Sequence, residues 1–93
     1  MSVEDILKDR EETHGDFSDV ARYSFDLSDI FRFSPNYAAS KLSKVQMVGI
    51  EMILHKLSRI MCGNPNEIDH YKDIQGYAEL IIKDIKDNKN LFS

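Results

Sequence analysis

Residues 47–61 read MVGIEMILHKLSRIM. Met47, Ile50, Ile53, Leu54, Leu57, Ile60 and Met61 return every three or four positions, which is the 3.6-residue period of an amphipathic α-helix. The pattern is the strongest in the chain and predicts a central helix over about 41–62. Gly49 sits inside it at a cost of about 1 kcal/mol relative to Ala, a cost that makes sense where another helix crosses closely. Gly63-Asn64-Pro65-Asn66 ends the helix in a turn. A further helix follows over about 69–87, with Tyr71, Ile74, Tyr77, Ala78, Ile81 and Ile85 facing the core and a lysine- and asparagine-rich tail frayed beyond Asp87. A connection this short predicts that the two long helices pack antiparallel.

Working back toward the N-terminus, Ser34-Pro35-Asn36 breaks the helical pattern, because the residue before proline is pushed out of the α region. Before it, Phe17, Val20, Tyr23, Leu27, Ile30 and Phe31 predict a helix over about 16–33 with a broad apolar face. Ser2, Glu4 and Asp5 suit the cap and first turn of a short helix over about 2–13. The expectation is a single all-α domain, residues 1–93, built as a small bundle of about four helices. A 93-residue chain has room for one thin core and commonly gains stability by self-association, so a homo-oligomer is expected.

The net charge of −4 argues against unspecific binding to nucleic acid, which needs a basic stripe. A small anionic ligand needs only a local basic pair. The single cysteine, Cys62, reads as a partly buried thiol at a helix end and fits a reducing compartment. The acidic, amphipathic start MSVEDILKDREE does not resemble a signal peptide, and no apolar run approaches a membrane span. Both observations predict a cytoplasmic protein, in the host cytoplasm if a virus encodes it.

Chemistry has one candidate location. Glu51, His55 and Arg59 lie at i, i+4 and i+8 on the flank of the central helix opposite its apolar stripe, with Lys56 beside them. On the next helix Asp69 and Asp73 are also four apart, with Gly76 further along the same edge. Antiparallel packing would bring Arg59 near Asp69 and Asp73. Two readings compete. In the structural one, Asp73 and Arg59 form an ion pair, Glu51 and His55 a solvated pair, and Lys56 is surface. In the functional one, the carboxylates hold a divalent cation while Lys56 and Arg59 grip phosphate oxygens.

His14-Gly15-Asp16 reads either as a helix stop followed by an N-cap or as a junction that leans His14 over the cluster as a ligand contact. His70 reads as a first-turn surface residue. The tyrosines and phenylalanines read mostly as core, with one or two, Tyr77 among them, able to stack on a base. Phosphate-loop, dinucleotide, serine-hydrolase and zinc-protease motifs are absent from the sequence.

The segments R10-E-E-T-H-G-D-F17, I-E-M-I-L-H-K-L-S-R-I60, G63-N-P-N and D69-H-Y-K-D-I-Q-G-Y-A-E-L80 together resemble a small phage-borne family of helical proteins, over about residues 10–82. That family is distantly similar to the all-α, MazG-like nucleoside triphosphate pyrophosphohydrolases. The resemblance implies metal-binding carboxylates at Glu51, Asp69 and Asp73, basic phosphate contacts at Lys56 and Arg59, and magnesium-assisted attack of water on a nucleoside triphosphate. One departure stands out: a second acid on the central helix is replaced by His55, a poor magnesium ligand. Three functions follow as expectations. They are nucleotide binding with pyrophosphohydrolysis, sequestration of a nucleotide signal of host defence without cleavage, and a host-takeover interaction module that uses Phe25, Phe31, Phe33 and Tyr37.

Overall fold

The computed structural model describes residues 2–91, and the side chains of residues 2–88. These residues form five helices and no strand: α1 (Val3–His14), α2 (Phe17–Arg32), α3 (Pro35–Ala38), α4 (Lys44–Cys62) and α5 (Ile68–Leu91). The helix starts are written locally. Ser2 accepts the amide of Asp5 to open α1, and the Asp16 carboxylate accepts the amides of Ser18 and Asp19 to open α2. At α4, Ser43 and Gln46 exchange side-chain and backbone hydrogen bonds as a capping box, so the helix begins at Lys44 rather than near residue 41.

Ser34-Pro35 does break α2, but the chain continues at once into the single turn α3. Pro35 suits a first helical position because its missing N–H has no intrahelical acceptor there. Phe31 and Tyr37 pack edge to face across this corner, with ring centroids 5.1 Å apart. α5 runs on as helix to Leu91, past the expected fraying at Asp87. Met1, Phe92 and Ser93 lie outside the described residues.

α4 is the central element. It meets α5 where the absent Gly49 side chain admits Ile81, whose side chain would stand 2.8 Å from a Cβ there, so the close crossing anticipated at this glycine is present. Ser43 donates to Asp84 at one end of this contact, and Lys56 pairs with Asp73 further along. α4 meets α2 through Ser24 against His55 and Ser28 donating to Glu51. α2 and α5 each pack on α4 and form no substantial contact with each other.

The core is small. Val20, at 5% exposure, is the one large apolar side chain buried outright among the described residues, and the wholly buried polar ones are Ser58 and His70. Phe17 and Ile30, expected on the inner face of α2, are 83% and 71% exposed, Phe17 at the cleft described below and Ile30 on the opposite side of the helix. No helix among the described residues is long and apolar enough to cross a membrane.

Candidate functional site

The site begins at the junction of α1 and α2. Gly15 takes φ +90°, and a Cβ there would fall within 2.6–2.9 Å of Cys62. Gly63 in turn lies against the backbone of Thr13 and His14. Two glycines facing each other let the end of α1 nest into the end of α4. The Asn64 amide then donates to Thr13 O at 3.1 Å, and the Tyr71 hydroxyl reaches Pro65 O at 2.7 Å. Cys62 is half-buried at this helix end, as expected, and burial raises its thiol pKa away from the reactive thiolate.

His70 is not the surface residue its first-turn position suggested. It is 2% exposed, with Nε2 3.2 Å from Thr13 O and 3.4 Å from Nδ1 of His14. A carbonyl oxygen only accepts, so His70 Nε2 carries the hydrogen, and His14 Nδ1 is left on the accepting side. Neutral His14 therefore carries its own proton on Nε2.

Between α1, the start of α2 and α4 lies a cleft of about 560 Å³, bounded by Leu7, Arg10, Glu11, His14, Asp16, Phe17, His55 and Arg59. Two arginines and two carboxylates line it, so its positive field is local to the two histidines. The α2 amides are already taken by Asp16, which also accepts the Ser18 hydroxyl and is held below the usual carboxylate range by these bonds. Burial, then Arg59, His70, Arg10 and Lys56, lower the His14 pKa. Burial, Arg59 and Lys56 do the same for His55. Both imidazoles are thus held neutral in a field of arginine and lysine, where a bound anion would be stabilised.

The other expected site residues are distributed differently. Lys56 pairs with Asp73 at 2.9 Å, its side chain 14% exposed, so it is this lysine rather than Arg59 that holds the interhelical carboxylate, and it is the largest cause of that carboxylate's lowered pKa. Glu51 turns toward α2, accepting from Ser28 at 2.9 Å and pairing with Arg32 at 3.4 Å. It and His55 are half-buried against α2 and not a solvated pair. Asp69 is exposed in the first turn of α5. Tyr77 lines a separate apolar groove with Val48, Met52 and Leu80, away from the basic cleft. Gly76 faces open space, with nothing within 4 Å of where its Cβ would stand.

Glu51, Asp69 and Asp73 therefore do not form one ligand set in a single chain. Among the described residues no group of three or more His, Cys, Asp or Glu is placed to hold a metal ion. Two of the three carboxylates are already paired, and they do not fit a magnesium ion as the residues stand. Sequence reasoning missed Arg10, although its place one turn before His14 puts both on one side of α1. Compared with protein-family models, curated proteins and solved structures, the chain matches none.

Proposed function

We propose that this chain binds a nucleotide or nucleotide-derived small molecule in the cleft between α1, α2 and α4, as a homo-oligomer and without cleaving it. The observation that carries the reading is the convergence of Arg10, His14, His55 and Arg59 on one cleft that also has apolar walls. Arg59 and Arg10 supply the planar forks that suit phosphate oxygens. The Nε2–H of His14 is a neutral donor beside them, and Leu7 and Phe17 offer apolar surface for a base. A volume of about 560 Å³ is of the size that holds a small organic ligand. Lys56, held by Asp73, adds field rather than contact. The divided carboxylates favour sequestration over metal-dependent pyrophosphohydrolysis. The phage-borne resemblance suggests a nucleotide signal of host defence, met in the host cytoplasm.

The test is native mass spectrometry of protein purified directly from bacterial lysate, followed by denaturation and identification of the released small molecule. An intact nucleotide supports sequestration. A cleaved product would count for hydrolysis, and an empty protein with no affinity for a nucleotide panel would sink the reading.

A second reading, a module that docks a host protein, is favoured by one observation. Phe25 and Phe33 are 68% and 85% exposed, whereas Phe31 and Tyr37 are occupied with each other. Capture of a host protein that is lost in Phe25→Ser, while nucleotide binding is retained, would separate it from the first reading.

A further inference from the structure

Met47, Ile50, Leu54, Leu57 and Met61 follow one another at spacings of three, four, three and four. That is the a/d repeat of a helix that pairs with another helix along a seam. Within the chain no helix covers it fully. The edge of α4 carrying Gly49 and Lys56 meets α5, and the edge carrying Glu51 and His55 meets α2. The seam runs along the side between them that faces away from the basic cleft. Met47, Ile50 and Leu54 are half-buried, and Leu57 and Met61 are 37% and 56% exposed.

Helical spacing extends the same side with Tyr23, Leu27 and Ile30 from α2 and with Ile74, Ala78 and Ile85 from α5, none of them charged. The two sides of this helical layer thus differ. One carries the cleft of His55 and Arg59 beside the apolar groove of Val48, Met52 and Leu80, and the other carries the half-covered seam, on which Leu57, Met61 and Ile85 are exposed.

We infer that this apolar side docks a second copy of the chain, α4 seam against α4 seam, so that two single layers close one shared core. The inference rests on the self-association in the reading above and not on its ligand. Surface area argues for this occupant. The chain exposes 6990 Å², whereas a compact monomer of 10.8 kDa exposes about 5,500 Å². Part of the excess belongs to the last turns of α5, which run on past Asp84 where α4 begins. The whole excess is larger than the roughly 800 Å² that each partner buries in a stable interface. A stable domain needs at least two packed layers, and the helices α2, α4 and α5 supply one. The seam side chains themselves are uncharged and meet their own two-fold copies without opposing like charges, as an isologous contact requires.

The test reads the mass of ligand-free protein at micromolar concentration by light scattering. The wild type is expected at twice 10.8 kDa or a higher even multiple. Leu57→Glu should weaken association about 100-fold, as loss of a central interface anchor does. Val48→Glu, at a 62% exposed position on the other side of α4, should leave the mass unchanged. A monomeric wild type, or dissociation by Val48→Glu and not by Leu57→Glu, overturns the inference. Should Leu57→Glu fail to fold, hydroxyl-radical labelling of the wild type decides. Labelling of Leu57 and Met61 that rises on dilution while that of Val48 stays constant supports the seam, and labelling of all three that is unchanged by dilution overturns it. Release of no nucleotide would leave the mass result untouched, so failure of the ligand reading and failure of the seam are separate outcomes.

Discussion

His70 shows how much a single side chain organises here. Its imidazole is enclosed, bonded to Thr13 O, and in contact with His14, so it links the start of α5 to the end of α1. Truncation in His70→Ala removes a buried ring and leaves polar groups short of a partner, and should lower stability by roughly 2–4 kcal/mol in urea denaturation. The neutral histidines predict a pH dependence. His14 and His55 both have folded pKa values below the ordinary 6.5, so the unfolded chain takes up protons more readily than the folded one. Their contribution is present above 6.5 and is lost as pH falls from there toward the lowered folded values. Unfolding free energy measured across that window should decline on acidification, and His55→Gln should flatten the decline; a flat wild-type profile would contradict the assignment. Sequence alone could not see His70 in this role, because a first-turn position is usually solvated and only the docking of the 63–66 turn onto α1 encloses it.

The helices themselves were largely legible, since they follow from local rules. The α4 period, the Asp16 and Ser2 caps and the Gly63 stop each depend on residues within a turn or two of one another, and the Gly49 crossing was signalled by a glycine that a free helix would not favour. What local rules do not fix is which neighbour a flank meets. The line of Glu51, His55 and Arg59 was readable, but its contact with α2 through Ser28 and Ser24 was not, because serines carry no directional signal. Likewise Lys56 and Arg59 differ by less than a turn, and helix rotation decides which of them reaches Asp73. Two glycines make the distinction between local and tertiary demand measurable. Gly15→Ala places a Cβ against Cys62 at a φ of +90° and should cost roughly 2–4 kcal/mol. Gly76→Ala meets nothing within 4 Å in mid-helix and should gain about 0.5–1 kcal/mol. Thermal unfolding of both variants reads the contrast, and shifts of the same sign would contradict the α1–α4 junction described here.

At the scale of the whole molecule, the two sides of one helical layer carry different side chains. The apolar stripe that the sequence assigns to a core is left half-covered by the chain's own helices, while the charged flank that looked solvated is the one enclosed by α1 and α2. A cluster that appeared to be a metal site with basic neighbours thereby separates into three parts: the Lys56–Asp73 pair, the Glu51–Ser28–Arg32 group, and the cleft of Arg10, His14, His55 and Arg59. The last is an open cleft, and at its two histidines the neighbouring arginines and lysine set the field. The most direct test is calorimetric titration of the ligand-stripped protein with nucleoside triphosphates and cyclic nucleotides, wild type against Arg59→Gln, in the presence of a chelator. Saturable binding without metal, weakened about 10–100-fold in the variant, is the predicted result. Binding that requires magnesium, or that is equal in wild type and Arg59→Gln, would contradict the cleft as the anion site.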